Sequence, residues 1–326
     1  METVDRNAAL KTDLLNRRQR LGSAVPAGAQ RSEIQRLIAD VDAALQRMEA
    51  GTYGLCESCG DPVEGERLAA DPLARFCIDH LSAREQNALE RDLQLASRVQ
   101  RALLPNADVQ VPGWDVRYHY EPAGVVSGDY CDVVARDNGD LFFIVGDVSG
   151  KGVAASILTG HLHASFRTLV ALGLSVRDLV DHVNRLFCES TMDAHYATLV
   201  CGRASPSGDL ELCIAGHVPP LVVRDGKVAP IDVQGFPIGI FCAVPFTAHT
   251  LRLAPGNLLF LYTDGLSDAR NASDEDYGVE RIVKMLERHA CRSTQELVQA
   301  WRQEIASFRG DTPRADDLTF MVIRRR

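Results

Sequence analysis

The chain has 326 residues, of which 46% are hydrophobic and 24% charged, and its formal net charge at pH 7 is −9. This length permits two domains, and a negative charge without any strongly basic stretch argues against direct nucleic-acid binding. No apolar run approaches the roughly 18 residues needed to cross a bilayer, and Asp5 and Arg6 stand where a signal peptide would be hydrophobic, so we expect a cytoplasmic protein without membrane contact.

Two helices joined by a short loop are predicted at the N-terminus. Leucines recur at helical spacing from Leu10 to Leu21, and Gly22 to Gln30 then breaks the pattern. From Arg31 the helical period returns, with apolar side chains along one face. These are Ile34, Leu37, Ile38, Val41, Leu45 and Met48. The pair of helices indicates a helical hairpin.

Four metal-ligating side chains follow in two close pairs. Two residues separate Cys56 from Cys59, and after 17 further residues Cys77 and His80 repeat this spacing. Each pair can form a turn and the intervening segment can close a knuckle, so the spacing predicts a tetrahedral structural site for one Zn²⁺. The other cysteines sit singly and are interpreted as small core residues. They are Cys131, Cys188, Cys201, Cys213, Cys242 and Cys291.

The zinc motif resembles a known family. Gly51 to Gly60, Arg67 to Pro72 and Phe76 to His80 are similar to the DksA/TraR-type zinc finger, over roughly residues 31 to 82. That family usually has a cysteine where this chain has His80. Its members modulate RNA polymerase through an acidic-tipped helical hairpin, whereas the tip expected here, residues 22–30, contains no carboxylate. The resemblance implies zinc, and a zinc-finger regulator that binds RNA polymerase is an alternative function.

A long helix is predicted from Ser82 to Leu104, ended by Pro105. Apolar residues follow it at spacings of four and three, which fits either pairing with a partner helix or packing on its own domain. They are Leu89, Leu93, Ala96, Val99 and Leu103. The expected organisation is a hairpin and zinc finger at 1–81, a helical linker at 82–105 that is a possible homodimer seam through residues 82–104, and a larger domain at 106–326.

Strand-like runs alternate with loops and helices after the linker, which indicates an α+β domain. The strands are predicted at 114–120, 131–135, 141–145, 198–203, 210–214, 221–224, 258–262 and 318–323. The helices are predicted at 154–172, 176–190, 279–289 and 294–308.

Aspartates stand in short motifs, most of them beside these strands. They are Asp129 in Ser-Gly-Asp-Tyr, Asp147 in Gly-Asp-Val-Ser-Gly-Lys-Gly, Asp264 in Tyr-Thr-Asp-Gly, and the pair Asp316 and Asp317. A lone Asp in such a place is more often a turn or cap residue. Several that converge would repel one another unless a divalent cation neutralises them, and hard oxygen ligands suit magnesium or manganese. The set therefore predicts a metal site for phosphoryl chemistry.

Three other phosphate or acyl-transfer motifs are excluded by spacing. A phosphate-binding P-loop has four residues between its glycines, whereas Gly146 and Gly150 have three. A nucleophile elbow has glycine two residues before its serine, whereas Asp147 precedes Ser149 there. The Cys-x5-Arg loop of thiolate phosphatases is absent from the sequence.

The ordered motifs resemble the metal-dependent PPM protein phosphatases, specifically their SpoIIE/RsbU-like bacterial branch, from about Leu93 to Ile323. The resemblance is carried by Leu95–Pro105, Glu121–Ala123, Ser127–Asp132, Gly146–Gly152, Ala197–Leu199, Ala215–Pro220, Tyr262–Leu266 and Asp316–Thr319. It implies a sandwich of two antiparallel sheets flanked by helices, with two Mn²⁺ or Mg²⁺ ions at one end.

The resemblance also implies roles for single residues. Asp147 would bridge both ions, and the carbonyl of Val148 would bind one of them. Asp264 and Asp316 would hold the second ion, while Asp129 would support the first through water. Asp147, Asp264 and Asp316 are thus the predicted catalytic residues.

Neighbouring polar residues receive supporting roles. Asp317 is expected to support the ligand next to it, Asp132 to be structural, and His217 to act in a turn or hydrogen bond. His161 and His163 are two residues apart, so on a helix they face different ways.

The sequence thus predicts a metal-dependent protein serine/threonine phosphatase. In this branch the usual substrate is a phosphorylated STAS-domain anti-sigma-factor antagonist, whose dephosphorylation releases a sigma factor by partner switching. N-terminal modules commonly control such enzymes through the linker, which implies a parallel dimer here. The alternatives are the RNA-polymerase regulator with an accessory phosphatase-like domain, and a metal-loaded scaffold without turnover.

Overall fold

The computed structural model describes residues 2–23, 30–81, 83–106, 110–191, 195–233 and 235–326. Residues 24–29 of the expected hairpin tip and Ser82 at the start of the predicted linker helix lie outside the described residues. The chain divides into two compact units, Met1–Arg91 and Asp92–Arg326. The division falls within a helix, Ala83–Leu103, and the three-part organisation expected from the sequence stays a prediction.

The first unit contains the predicted helical hairpin. Helices α1 (Glu2–Ser23) and α2 (Gln30–Ala50) pack together with Leu14, Val41 and Ala44 fully buried. A short helix α3 (Gly65–Ala70) and a single turn at Ile78–His80 follow. They enclose a small core of Cys56, Val63, Ala74 and Cys77. So few buried side chains supply little hydrophobic stabilisation, which is typical of a module that depends on a metal.

The second unit is built on two antiparallel sheets, as predicted, and begins within α4 (Ala83–Leu103). The six-stranded sheet has the order β1-β2-β11-β10-β7-β8, and the five-stranded sheet has the order β3-β4-β5-β6-β9. The strands are β1 (Gln110–Val111), β2 (Trp114–Glu121), β3 (Asp129–Ala135), β4 (Leu141–Val148), β5 (Ala197–Ala204), β6 (Asp209–Ala215), β7 (Leu221–Arg224), β8 (Lys227–Pro230), β9 (Ala248–Arg252), β10 (Leu258–Tyr262) and β11 (Leu318–Arg325).

Helices cover the outer face of each sheet. Helices α5 (Val153–Ala171) and α6 (Val176–Ser190) pack on the five-stranded sheet, and α8 (Gly278–His289) and α9 (Thr294–Arg309) pack on the six-stranded sheet. A four-residue helix α7 (Asp264–Ser267) follows β10. The result is a sandwich of four layers, which confirms the predicted α+β fold.

The strand sequences explain the layering. In β4, Phe142 and Ile144 pack under α5 and α6, whereas Leu141, Phe143 and Val145 face the other sheet. Because alternate side chains of a strand point to opposite faces, a strand buried on both faces must be apolar throughout. This is why the central strands could be recognised from their continuous apolar runs.

The edge strands β8 and β9, and the two-residue β1, were missed by the sequence prediction. Strand β8 lies at one edge of its sheet and β9 at the edge of the other, and both carry exposed residues. Half-exposed strands lack a continuous apolar run, so their pattern resembles that of loops. No helix among the described residues is long and apolar enough to span a membrane.

The cysteines differ in part from the prediction. Cys131, Cys201 and Cys213 are buried core residues as expected. Cys188 in α6 and Cys242 are joined by a disulfide with 5.9 Å between their Cα atoms, and Cys291 is exposed, so the prediction of single core residues was wrong for these three. The separation of 54 positions between the bonded cysteines gave no spacing signal.

The seam predicted along the linker helix is only partly buried. Leu89 and Val99 are exposed, whereas Leu93, Ala96 and Leu103 are half-buried. Gln100 is buried and contacts the same unit, through a hydrogen bond from its Nε2 to the carbonyl of Ser127 at 2.7 Å. The homodimer through this helix stays a prediction.

Candidate metal centre

Aspartates from both sheets meet at one end of the sandwich. Asp129 of β3 pairs directly with Asp147 of β4 in the antiparallel ladder. Asp264 follows β10, and Asp316 and Asp317 precede β11, which pairs with β10 through Tyr262 and Phe320. The register of two neighbouring strand pairs therefore brings together carboxylates that are up to 188 residues apart in the chain.

In the first pair of carboxylates, Asp129 is buried and Asp147 is half-buried. Asp129 is 2% exposed, and burial, followed by the charges of Asp147 and Asp317, raises its pKa well above the usual range, against the effect of hydroxyl donors. Burial also raises the pKa of Asp147 to about 7, with further contributions from Asp264, Asp316 and Asp317. Both groups thus resist ionisation in the absence of a compensating positive charge.

Asp264 and Asp316 are more open to solvent. Asp264 is solvent-exposed as a residue, yet the surrounding protein partly desolvates its carboxylate. This desolvation, followed by the charge of Asp316, raises the pKa of Asp264. Lys151 Nζ lies 3.2 Å from Asp316 Oδ2 and forms an ion pair with it. One exposed lysine cannot balance so many carboxylates, so the donor set suits divalent cations.

The backbone leaves a space beside two of the predicted ligands. A Cβ on Gly128 would lie 3.0 Å from the carbonyl oxygen of Val148 and 3.2 Å from Asp147 Oδ1. Both distances are shorter than ordinary van der Waals contact, so only glycine keeps this position clear of carbon. The two oxygens that border the space are donors of the kind that Mn²⁺ and Mg²⁺ prefer.

The carboxylates do not form one compact ligand set. Among the described residues, no three of these aspartates each bring a carboxylate oxygen within 4.8 Å of the other two, in contrast to the cysteine and histidine ligands of the first unit. Carboxylates spread in this way suit two ions about 4 Å apart, because each ion has its own ligands.

Asp317 holds the loop that leads into β3. Its carboxylate accepts hydrogen bonds from the backbone N–H groups of Ala123 and Gly128, each at 2.7 Å. The sequence placed Asp317 next to a ligand, but its contact with residues so distant in the chain depends on the register of β11. Its observed partners are backbone amides, so it fixes the segment that ends in Asp129.

The remaining polar residues of the motifs lie elsewhere. Asp132 is fully buried and accepts two hydrogen bonds from Arg167, both at 2.8 Å, which ties β3 to α5. His163 lies 3.4 Å from Asp132, and His161 packs near Phe187. These residues take no part in the aspartate cluster, in agreement with the structural role expected for Asp132.

The four predicted zinc ligands come together in the first unit. The ligand atoms of Cys56, Cys59, Cys77 and His80 all lie within 4.8 Å of one another. Cys59 Sγ is 3.8 Å from Cys77 Sγ, which is 3.2 Å from His80 Nδ1. Three sulfurs and one imidazole nitrogen at such distances suit tetrahedral Zn²⁺.

A salt-bridge network supports this knuckle. Glu57, between the first two cysteines, pairs with Arg75 and with Arg47 of α2, the latter at 2.8 Å. The backbone N–H of Glu57 also donates to the carbonyl of Arg75 at 3.0 Å. The two halves of the ligand set are therefore held together by contacts beyond the ligands.

Two families match this chain. Residues 137–326 match the family described as Stage II sporulation protein E (SpoIIE), and residues 51–79 match the prokaryotic dksA/traR C4-type zinc finger. The second match ends just before His80. Both matches confirm the families predicted from the sequence motifs.

Individual relatives agree with these families. Protein IcfG of Synechocystis sp. is 27% identical over an alignment of 263 positions that covers 72% of this chain and 41% of IcfG. Phosphoserine phosphatase RsbU of Bacillus subtilis is 24% identical over an alignment of 246 positions that covers 74% of this chain and 72% of RsbU. The chain thus spans less than half the length of IcfG.

Solved structures show the same fold. The SiaA-PP2C domain of Pseudomonas aeruginosa aligns with a TM-score of 0.67 at 22% identity, and the alignment covers 75% of this chain and 100% of that domain. The SpoIIE match takes in most of the sandwich, including Asp147, Asp264 and Asp316. The chain therefore belongs to the SpoIIE family and carries a dksA/traR-type zinc finger ahead of its SpoIIE domain.

Proposed function

We propose that this protein is a metal-dependent phosphatase that hydrolyses phosphoserine or phosphothreonine in another protein. The convergence of aspartates at one end of a SpoIIE-family sandwich, among which Asp129 and Asp147 resist ionisation, carries this proposal. The relative RsbU bears the name phosphoserine phosphatase, which supports the same reaction.

The ligands are assigned from these positions. Asp147 would bridge two Mn²⁺ or Mg²⁺ ions, the Val148 carbonyl would bind the first ion, and Asp129 would support that ion through water. Asp264 and Asp316 would hold the second ion. The clear space beside Gly128, bordered by the Val148 carbonyl and Asp147 Oδ1, supports the assignment of the first ion.

The chemistry follows from charge. Bound divalent ions lower the pKa of a coordinated water and neutralise the phosphoryl oxygens. Asp147 and Asp264 keep the ions in place through ionised carboxylates. Lys151 is 65% exposed, and its ammonium group donates to the carbonyl of Ala315 at 2.7 Å and lies 3.2 Å from Asp316, so it offsets part of the negative charge of this proposed ligand.

The substrate we propose is a phosphorylated STAS-domain anti-sigma-factor antagonist, as in partner switching. Dephosphorylation of such a protein would release a sigma factor, and the reaction would take place in the cytoplasm. The name of RsbU supports a phosphoserine substrate.

We also propose that one structural Zn²⁺ is held by Cys56, Cys59, Cys77 and His80. The mutual approach of their ligand atoms supports this set. His80 takes the place of the fourth cysteine of a C4-type finger, since an imidazole nitrogen completes a tetrahedral site as well as a thiolate does.

The zinc finger supports a second candidate function. Residues 51–79 match the dksA/traR zinc-finger family. In this second function the first unit would bind RNA polymerase, and the sandwich would be an accessory domain. Pull-down of RNA polymerase core enzyme with the full chain, compared with the Cys56→Ser/Cys59→Ser variant, tests it. Zinc-dependent capture supports this second function, and absence of capture by the wild type contradicts it.

The main proposal is tested with phosphorylated protein substrates. The full chain with Mn²⁺ is incubated with a panel of phosphorylated STAS-domain proteins, and release of phosphate is measured with and without a chelator. We expect Mn²⁺-dependent dephosphorylation of at least one of them. Turnover of p-nitrophenyl phosphate without turnover of any phosphorylated protein would contradict the substrate class but preserve the reaction.

A further inference from the structure

His217 lies where the two sheets approach each other at the acidic end. It follows β6 after Gly216, whose φ of +65° lies in the left-handed region. A Cβ on Gly216 would come within 2.5 Å of the ring of Pro237, so the turn requires glycine. The turn directs His217 inward, where the residue is 8% exposed.

Both ring nitrogens of His217 have partners, and the partners belong to different sheets. Nε2 lies 3.0 Å from the backbone carbonyl of Tyr262, and Nδ1 lies 2.8 Å from the hydroxyl of Thr198. A carbonyl only accepts, so Nε2 carries a proton, and in the neutral ring Nδ1 accepts from the Thr198 hydroxyl. The partners thus set the tautomer of the neutral imidazole.

Each partner stands next to a proposed metal ligand. Thr198 of β5 is the direct ladder partner of Asp147 of β4 in the five-stranded sheet. Tyr262 ends β10 in the six-stranded sheet, two residues before Asp264. The ring therefore connects the backbone beside Asp147 with the backbone beside Asp264.

Such a link has a geometric effect that apolar packing lacks. Between the two sheets lie side chains such as Phe143, Leu259 and Met321. Apolar contacts are non-directional and tolerate small shifts, whereas two hydrogen bonds fix a distance and an angle. Catalysis by two ions depends on ligands placed to within about 1 Å.

We infer that His217 is a positioning residue: its neutral ring joins the two sheets and sets the separation of Asp147 and Asp264, and with it the spacing of the two ions. This inference rests on the proposed function. Burial lowers the pKa of His217 to about 4, against the effect of the Tyr262 carbonyl, so the neutral ring persists at physiological pH.

Variants of His217 separate the two hydrogen bonds. His217→Asn keeps an acceptor near the position of Nδ1 and loses the link to Tyr262, whereas His217→Gln keeps a donor near Nε2 and loses the link to Thr198. His217→Ala loses both. Thr198→Val removes the same Nδ1 bond from the other side with almost no change of shape, so it serves if the alanine variant fails to fold.

The measurements are Mn²⁺ affinity by calorimetry, kcat and KM with p-nitrophenyl phosphate, and thermal stability. For Thr198→Val and His217→Ala we expect Mn²⁺ affinity to fall at least about 10-fold and kcat to fall with little change in KM, with Asn and Gln between wild type and Ala. His217→Ala combined with Thr198→Val should be no worse than His217→Ala alone, because both remove one shared bond.

His119→Gln is the matched control. His119 is largely buried in β2, and its Nε2 lies 2.9 Å from Glu121 of the same strand, so it joins no two sheets. The control should lose stability but keep Mn²⁺ affinity. A purely structural role for His217 would give the same result as the control, and it would overturn the inference.

A spectroscopic readout is independent of activity. Nitrogen-15 spectra should show His217 as the Nε2–H tautomer between about pH 5.5 and 8. A charged ring or an Nδ1–H tautomer in that range would contradict the inference. If the wild type binds Mn²⁺ and the His217 variants weaken that binding, yet no phosphomonoester is hydrolysed, the proposed function fails and the positioning role stands.

Discussion

Thr263 directly follows β10 of the six-stranded sheet and Asp129 begins β3 of the five-stranded sheet, yet the Thr263 hydroxyl donates a hydrogen bond to Asp129 Oδ2 at 2.9 Å. The same hydroxyl accepts from the backbone N–H of Thr319 at 3.1 Å, which fixes its direction. Asp129 is thus held from the opposite sheet before any ion binds. The aspartate cluster is supported by a polar frame of this hydroxyl, the Asp317 carboxylate and the His217 ring.

Removal of the Thr263 hydroxyl should destabilise the sandwich. Thr263→Val keeps the shape of the side chain but leaves the buried Asp129 without this donor, which costs about 1–3 kcal/mol. Urea denaturation of the metal-free protein at pH 7.5 measures the loss. Thr250→Val on the exposed part of β9 is the control and should change little. Equal stability of the two variants would contradict this role of Thr263.

A methyl group at Gly128 should block metal binding. In Gly128→Ala the new carbon would press on the Val148 carbonyl and on Asp147 Oδ1. We expect Mn²⁺ affinity, measured by calorimetry, to fall by at least about 10-fold, or a loss of about 1.4 kcal/mol. Gly124→Ala in the same loop meets its nearest atom at 3.6 Å and should bind Mn²⁺ normally. Unchanged affinity in Gly128→Ala would remove the support for the first ion.

The ionisation of Asp147 predicts how stability depends on pH without metal. Its pKa in the folded protein is raised to about 7 from the usual 3.8 of an aspartate, so between these pH values the folded state keeps a proton that the unfolded state has released. The ionised carboxylate therefore destabilises the metal-free fold. This effect is absent below about pH 4, grows up to about pH 7 and is complete above it.

Replacement of Asp147 by Asn should remove this effect. With a chelator present, Asp147→Asn should be more stable than wild type by on the order of 2–4 kcal/mol at pH 8, and by almost nothing at pH 4. Urea denaturation across this pH range measures the difference. A variant less stable than wild type at pH 8 would show that Asp147 is stabilised as a carboxylate without metal.

The zinc assignment predicts a metal content and its loss. The purified chain should carry close to one zinc, and Cys56→Ser/Cys59→Ser should carry none and lose the fold around residues 51–80, because that core is small. Elemental analysis and hydrogen exchange measure the two effects. The exposed Cys291 offers a control, since Cys291→Ser should retain zinc. Freshly purified wild type without zinc would rule the site out.

The sequence predicted the parts of this fold that have a local signal. Buried strands such as β4 and β10 are continuous apolar runs, and Asp147 and Asp264 lie at or directly after the ends of these strands, so their convergence could be predicted. The partners of Asp317 and His217 could not, because they depend on which strands pair across two sheets. The Cys188–Cys242 disulfide and the exposed edge strands lack a local signal for the same reason.

The central claim is that Asp147 organises a metal centre that hydrolyses phosphomonoesters. The direct test is the rate of p-nitrophenyl phosphate hydrolysis with Mn²⁺ by wild type, Asp147→Asn and Asp225→Asn. Asp225 is the control: it is exposed and lies in the β7–β8 turn at the other end of the sandwich. Its φ is 49°, a left-handed conformation that asparagine also adopts. We predict activity that a chelator abolishes, a loss of at least about 100-fold in Asp147→Asn, and a normal rate in Asp225→Asn. Full activity of Asp147→Asn would contradict the claim.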